Sequence, residues 1–86
     1  MAGRPRSTSP NPVLIEGQSL LDVLGRRVNA LRVVRSLSQE ELADRAGLDR
    51  TYISGIERGL RNPTLLVLLH LKQALGVSLD ELVGVS

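Results

Sequence analysis

The chain of 86 residues contains no cysteine, no tryptophan and no phenylalanine, and it has a single tyrosine. Without cysteine, neither disulfide bonds nor thiolate metal sites can hold a fold together. Without large aromatic side chains, a core has to be built from leucine, isoleucine, valine and alanine. We therefore expect one small domain that is stabilised by aliphatic packing.

Long apolar runs are also absent. No run reaches the roughly 18 apolar residues that indicate a membrane-spanning helix. The N-terminal residues lack the apolar segment of a secretory signal peptide. These absences predict a cytoplasmic protein that does not contact a membrane.

Side chains suited to catalysis are scarce. His70 is the only histidine, and leucines flank it on both sides. Serines are frequent, but no set of nucleophile, base and orienting group can be assembled from the sequence. Neither a phosphate-binding glycine loop nor a cluster of metal ligands is present. We predict that the protein is not an enzyme and that it binds no metal and no cofactor.

The charge of the chain is nearly balanced, with eleven basic and nine acidic residues and a net charge of +2. Such a small excess is weak evidence for a nucleic-acid partner. The kind of basic residue is more informative, because ten of the eleven are arginines. The planar guanidinium group makes bidentate hydrogen bonds to phosphates and to guanine edges.

The most informative segment is 37–62, LSQEELADRAGLDRTYISGIERGLRN, which predicts two short helices joined by a tight turn. Ser38 and Glu41 have the spacing of a capping box at the start of the first helix. Gly47 stands where a left-handed residue would end that helix. Asp49 can then cap the second helix. This pattern is typical of a helix-turn-helix.

The second helix of this pair has one apolar side and one polar side. Ile53 and Ile56 are expected to point inward, and Ala43 keeps the crossing with the first helix close. The polar side is then left outward, and an exposed helix of this kind fits the major groove of DNA. We expect the outward residues to be Arg50, Thr51, Ser54 and Gly55.

The sequence resembles the lambda-type repressor and Cro helix-turn-helix family, also called Xre-like, from about Leu24 to Leu82. The resemblance is carried by the segments LGRRVNALR (24–32), LSQEELADRAGL (37–48), RTYISGIERGLRNPT (50–64) and LHLKQALGVSLDEL (69–82). DRTYISGIERGLRNP also looks like the small controller proteins of restriction–modification systems. The resemblance implies an all-α fold, a compact five-helix lambda-repressor-like DNA-binding domain.

The pattern divides the chain into a flexible N-terminal arm, residues 1–19, and a helix-turn-helix domain, residues 20–86. We place helix one at about 20–35, helix four at about 64–75, and the start of helix five at Ser78. In the arm, Gly3-Arg4-Pro5-Arg6 partly resembles an AT-hook that lies in the minor groove. We interpret the arm as a solvated tail, and a minor-groove arm beside the helix-turn-helix domain is the alternative that stays open.

Residues expected to contact double-stranded DNA fall in two groups. The exposed face of the second motif helix should supply the base contacts, from Arg50, Thr51, Tyr52, Ser54 and Gly55. Arg58, Arg61 and Asn62 follow the second motif helix and are expected to contact backbone phosphates. The family resemblance adds a phosphate contact by Gln39 at the start of the first motif helix. It also implies a structural ion pair between Arg32 and Glu57.

Helix four carries more apolar residues than one small core obviously needs. We interpret the surplus as a homodimer interface, because family members commonly pair in this way and palindromic operators require it. The alternative is a crowded core with ordinary exposed apolar surface. The predicted interface residues are Leu66, Val67, Val83 and Val85.

These expectations combine into a sequence-specific DNA-binding transcriptional regulator. It would insert helix three, about residues 50–58, in the major groove of a palindromic operator. One alternative is the antitoxin of a toxin–antitoxin pair, in which the apolar surplus grips a toxin partner. Another is a protein-interaction module that kept the helical scaffold and lost DNA binding.

Overall fold

The computed structural model describes residues 12–84, and it describes side chains from residue 20 onward. These residues form five α-helices joined by short loops. No strand occurs among these residues, so the predicted all-α, five-helix fold is confirmed. Residues 1–11, with the AT-hook-like segment, and Val85 lie outside the described residues. The helices are α1 (Pro12–Val34), α2 (Gln39–Ala46), α3 (Arg50–Glu57), α4 (Leu65–Leu75) and α5 (Leu79–Val83).

The first helix begins earlier than the sequence pattern predicted. We expected a start near residue 20, whereas α1 begins at Pro12. Proline suits the first position of a helix, because its fixed φ is helical and the amide hydrogen it lacks would have no partner within the helix there. Residues 12–19, assigned to a flexible arm, therefore have helical backbone.

Two capping boxes fix where α2 and α5 start, as their sequences predicted. At α2, the Glu41 amide donates to Ser38 Oγ over 3.0 Å and the Ser38 amide donates to Glu41 Oε1 over 2.8 Å. Ser78 and Glu81 repeat the arrangement at α5, over 3.1 and 3.2 Å. An N-cap of this kind is worth about 1 kcal/mol, which matters for helices this short.

The turn between α2 and α3 needs a left-handed residue, and Gly47 supplies it with φ +68°. The chain then folds back, so that the Leu48 amide donates to the carbonyl oxygen of Ala43 over 2.9 Å. Asp49 caps α3 by accepting a hydrogen bond from the Thr51 amide over 2.9 Å. The predicted helix-turn-helix is therefore formed by residues 39–57.

Every helix contributes to one aliphatic core, as the composition predicted. Complete burial of one leucine, isoleucine or valine side chain stabilises a fold by about 1.5–3 kcal/mol, so the buried aliphatic residues account for much of the stability of this domain. The largest fully buried side chains are Val28 of α1, Leu42 of α2, Ile53 and Ile56 of α3, Leu71 of α4 and Leu82 of α5.

The backbones of α1 and α3 meet at Gly25. A Cβ atom built on this glycine would lie 2.6 Å from the carbonyl oxygen of Glu57 and closer still to that of Ile56. Only a residue without a side chain allows the helices to approach this closely. The contact fixes the C-terminal end of α3 against α1.

Candidate nucleic-acid interface

The two sides of α3 differ as the sequence predicted at its N-terminal end. Ile53 and Ile56 are fully buried, whereas Arg50 and Thr51 are exposed. Tyr52 is half-buried and packs against the core. The start of α3 therefore presents a guanidinium and a hydroxyl-bearing side chain on a surface that the core holds from behind.

The N-terminus of α3 is closed by Asp49. Its Oδ2 accepts hydrogen bonds from both the amide and the hydroxyl of Thr51. The Thr51 hydroxyl, followed by its amide, lowers the pKa of Asp49, so this carboxylate is ionised at neutral pH. A negative charge at this end also interacts favourably with the helix dipole.

The ion pair between Arg32 and Glu57 is present. Arg32 Nε lies 2.6 Å from Glu57 Oε2, and Arg32 Nη2 lies 3.1 Å from Oε1. The two side chains are only 13% and 6% exposed. Arg32 Nη1 also donates to the carbonyl oxygen of Leu37 over 2.8 Å, which ties the α1–α2 connection to the same group.

Glu57 accepts more than the arginine's hydrogen bonds. Asn29 Nδ2 and Gln39 Nε2 each donate to its Oε1 over 3.0 Å. Burial raises the pKa of Glu57, but the hydrogen bonds from Arg32, Asn29 and Gln39 outweigh burial, and the net shift is downward. The carboxylate therefore stays ionised although it is almost covered.

Gln39 connects this buried carboxylate to the exposed start of α3. Its Nε2 donates to Glu57, and its Oε1 accepts a hydrogen bond from Arg50 Nη1 over 3.2 Å. The amide has one orientation in this position, because a carboxylate only accepts and a guanidinium only donates. Gln39 thus links Arg50 to Glu57 through two hydrogen bonds. The sequence predicted a phosphate contact for Gln39 but not this link.

Gly55 lies on the polar side of α3, but it is not exposed as predicted. It is buried, because the side chain of Arg61 covers it, and Ser54 is half-buried. The spacing of residues within α3 placed Gly55 on the polar side correctly, but it could not show that the chain returns over this position. The predicted exposure of Gly55 was therefore wrong, and a direct base contact by Gly55 does not fit the position of Arg61.

The residues after α3 lie at its C-terminal end. Arg58, Arg61 and Asn62 are exposed, as phosphate contacts require. Gly59, with φ +74°, turns the chain at the end of the helix. Arg61 returns to the polar side of α3, where its Cζ lies 5.5 Å from the centroid of the Tyr52 ring.

The predicted dimer residues differ in their exposure. Leu66 is 62% exposed, but Val67 is half-buried against the core and Val83 is half-buried. The exposed apolar surface of α4 instead consists of Leu65, Leu66 and Leu69. Almost all of α4 is apolar, so its sequence could not show which residues the core covers.

Neither a membrane-spanning helix nor a metal-ligand cluster occurs in the part of the chain that the structure describes. No helix of this part is long and apolar enough to cross a bilayer. No group of three or more potential metal ligands lies together there.

Comparison with known families identifies the central part of the chain. The helix-turn-helix family model matches residues 28–82, which include α2 to α5 almost completely. A curated protein of Sinorhizobium fredii, the uncharacterized HTH-type transcriptional regulator y4dJ, is 48% identical over 61 residues. This match covers 71% of the chain and 79% of the relative.

Solved structures show the same similarity. The restriction–modification controller protein C.AhdI of Aeromonas hydrophila is 45% identical with a TM-score of 0.73, over 74% of this chain and 97% of that chain. The controller protein C.Esp1396I, solved as a tetramer in complex with its natural 35 base-pair operator, is 39% identical with a TM-score of 0.69. That match covers 74% of this chain and 88% of the other.

Proposed function

The chain belongs to the helix-turn-helix family, and we propose that it is a sequence-specific DNA-binding transcriptional regulator that acts as a homodimer on a palindromic operator. The observation that carries this proposal is the exposed N-terminal end of α3, where Gln39 holds Arg50 in position. Such a protein acts where the DNA is, in the cytoplasm. Occupying DNA is a mechanism that requires no catalytic step.

In this proposal, α3 lies in the major groove with its N-terminal residues toward the bases. Arg50 has the reach and donor geometry for O6 and N7 of a guanine. Thr51 lies beside it, and Tyr52 and the half-buried Ser54 border the contact. Base-edge readout thus comes from the first turn of α3.

Phosphate contacts flank this readout on both sides. Gln39 begins α2, whose N-terminus favours an anion because of its free amide groups and dipole. Arg58, Arg61 and Asn62 follow α3 and reach the backbone at the other side of the groove. These contacts position the protein without reading sequence.

A second copy of the chain is the proposed occupant of the exposed leucines of α4. These residues form an apolar surface, Leu65, Leu66 and Leu69, that a water-exposed monomer would leave uncovered. The relative C.Esp1396I assembles as a tetramer on its operator. A two-fold dimer would present two α3 helices to half-sites about 34 Å apart.

Selection of bound sequences from a random DNA pool tests DNA recognition. We expect an enriched palindrome, and an affinity that falls steeply as the salt concentration rises, because phosphate contacts release counterions. Absence of enrichment, or binding that ignores salt, would support the protein-interaction module instead.

Sedimentation of the variant Leu66→Glu tests the assembly. We expect a shift from dimer to monomer, because the substitution places like charges against each other across the two-fold axis. Leu20→Glu on α1 is the matched control, since Leu20 is 66% exposed and Leu66 is 62% exposed. A wild-type protein that is monomeric at high concentration would overturn the dimer.

The exposed leucines of α4 also suit the antitoxin alternative, in which a toxin partner covers them. Expression of the chain together with its genomic neighbours distinguishes the two proposals. Stoichiometric co-purification with a second small protein that Leu66→Glu abolishes would favour the antitoxin. A homodimer without such a protein favours the regulator.

A further inference from the structure

Helix α3 contains a glycine that its backbone conformation does not need. Gly55 lies in the second half of the helix and is not among the glycines with positive φ. Inside a helix, glycine is about 1 kcal/mol less favourable than alanine. Its presence therefore calls for an explanation by its contacts.

The space where a side chain would stand is filled by Arg61. A Cβ atom built on Gly55 would lie 2.7 Å from Arg61 Cγ, 3.3 Å from its Nε and 3.6 Å from its Cδ. The stem of the arginine therefore lies directly on the backbone of α3. Arg61 reaches this position because Gly59 turns the chain and the Leu60 amide donates to the carbonyl oxygen of Gly55 over 2.9 Å.

The head of Arg61 is held as well. Its Cζ lies 5.5 Å from the centroid of the Tyr52 ring, close enough for a cation–π interaction. Tyr52 precedes Gly55 by three residues and so lies one turn earlier on the same side of the helix. Because Tyr52 packs against the core, the guanidinium rests on a ring that does not swing freely.

We propose that Gly55 is a positioning residue for DNA recognition: the missing side chain lets Arg61 lie along α3 and present its guanidinium beside Tyr52 on the surface that meets DNA. This inference rests on the proposed function and deepens it. Arg61 lies in the loop after α3, but its guanidinium then contacts DNA together with the side chains of α3. The acceptor on DNA is a phosphate oxygen or a guanine edge, both of which suit a guanidinium.

The first test needs no DNA. The chain has one tyrosine, so its ring signals in an NMR spectrum belong to Tyr52. In Gly55→Ala, the new methyl group displaces Arg61, and the ring signals should move toward those of Arg61→Ala. The melting temperature should change little, because alanine favours the helix while the displacement of Arg61 Cγ, an atom near the backbone, opposes this gain. Unchanged ring signals in Gly55→Ala would overturn the inference.

The second test is a double-mutant cycle on DNA selected by the wild-type protein. We expect Gly55→Ala to weaken binding about tenfold, as the loss of one charged contact would. In the Arg61→Ala background, the same substitution should cause no further loss. Equal losses in both backgrounds would mean that the alanine side chain itself obstructs DNA, and would overturn the inference, as would unaltered affinity in Gly55→Ala.

Two controls separate the causes. Arg45→Ala removes a positive charge from an exposed position on α2 and should leave the Tyr52 signals unchanged. Comparison of matched and single-mismatch DNA identifies the acceptor: an equal loss on both indicates phosphate, and a larger loss on the matched DNA indicates a base. If the wild-type protein binds no DNA, the proposed function fails together with the recognition role of Gly55, whereas the Tyr52 signals still report whether Arg61 lies on Gly55.

Discussion

The inner and outer sides of α3 are both shaped by a glycine, but the neighbours of the two glycines differ. On the inner side, Gly25 of α1 faces the backbone of Ile56 and Glu57, which cannot move without moving the helix. On the outer side, Gly55 faces the side chain of Arg61, which can rotate away. The inner contacts therefore decide where α3 lies, and the outer contacts decide what it presents.

The largest effect is expected from Gly25→Ala. Its new methyl group would meet backbone carbonyl oxygens at less than contact distance, so α1 and α3 must separate. We expect a loss of more than about 3 kcal/mol in the free energy of unfolding, the upper end of overpacking effects. Denaturant unfolding measures it, with Gly55→Ala as the matched substitution that should cause a much smaller change, because its neighbour is a side chain and not backbone. Similar losses in both variants would remove the distinction between the two sides.

The second effect is expected from Glu57→Ala, which leaves the Arg32 guanidinium without its nearly buried partner. We expect a loss of about 3 kcal/mol in the free energy of unfolding, the lower end for such pairs, since Arg32 keeps its bond to Leu37. Thermal melts of Glu57→Ala, Arg32→Ala and the double variant report the coupling. The exposed Glu40→Ala is the control. Strictly additive losses would mean that the pair contributes nothing.

The third effect is expected on the outer side, from Arg50→Ala. Binding to the selected DNA should weaken by about 1–3 kcal/mol, with relaxed specificity at one base pair. The free energy of unfolding should change by less than about 0.5 kcal/mol, because Arg50 is exposed. Binding curves on matched and single-mismatch DNA, with Arg45→Ala as control, decide the matter. An equal loss on all sequences would make Arg50 a phosphate contact.

The smallest effect is a dependence of stability on pH. The pKa of Glu57 in the folded chain lies below the ordinary value of 4.5, so its ionised form favours folding. This contribution is complete well above pH 4.5 and is lost as the pH falls through the folded pKa. We expect the wild type to lose more stability than Glu57→Gln between pH 6 and pH 3, a window of about three units that begins above the ordinary carboxyl pKa and extends below it. Parallel losses would contradict a role for the ionised form.

The sequence predicted α2 to α5 well because their ends are marked by residues with specific backbone roles. Ser38 and Ser78 form the expected capping boxes, and Gly47 and Gly76 end helices in the left-handed conformation. The predicted start of α1 near residue 20 was wrong, because Pro12 is compatible both with a flexible arm and with the first turn of a helix.

The candidate site was only partly predictable. The spacing of residues within α3 correctly predicted that Arg50 and Thr51 are exposed, because the side of the helix on which a residue lies depends on local geometry alone. The covering of Gly55 by Arg61 depends on how the chain returns after Gly59, which no periodicity within the helix encodes. The link from Glu57 through Gln39 to Arg50 likewise joins three separate parts of the motif.

The Asp49 cap of α3 restricts which DNA bases Thr51 can contact. An ionised carboxylate only accepts hydrogen bonds, so the Thr51 hydroxyl must give its hydrogen to Asp49. What remains for DNA is a pair of oxygen lone pairs and a methyl group. A guanine offers only acceptors in the major groove and cannot bond to such an oxygen, whereas the amino groups of adenine and cytosine can, and a thymine methyl can pack against the threonine methyl. In the proposed complex, the base opposite Thr51 is thus an adenine, a cytosine or a thymine, while guanine is left for the neighbouring arginine.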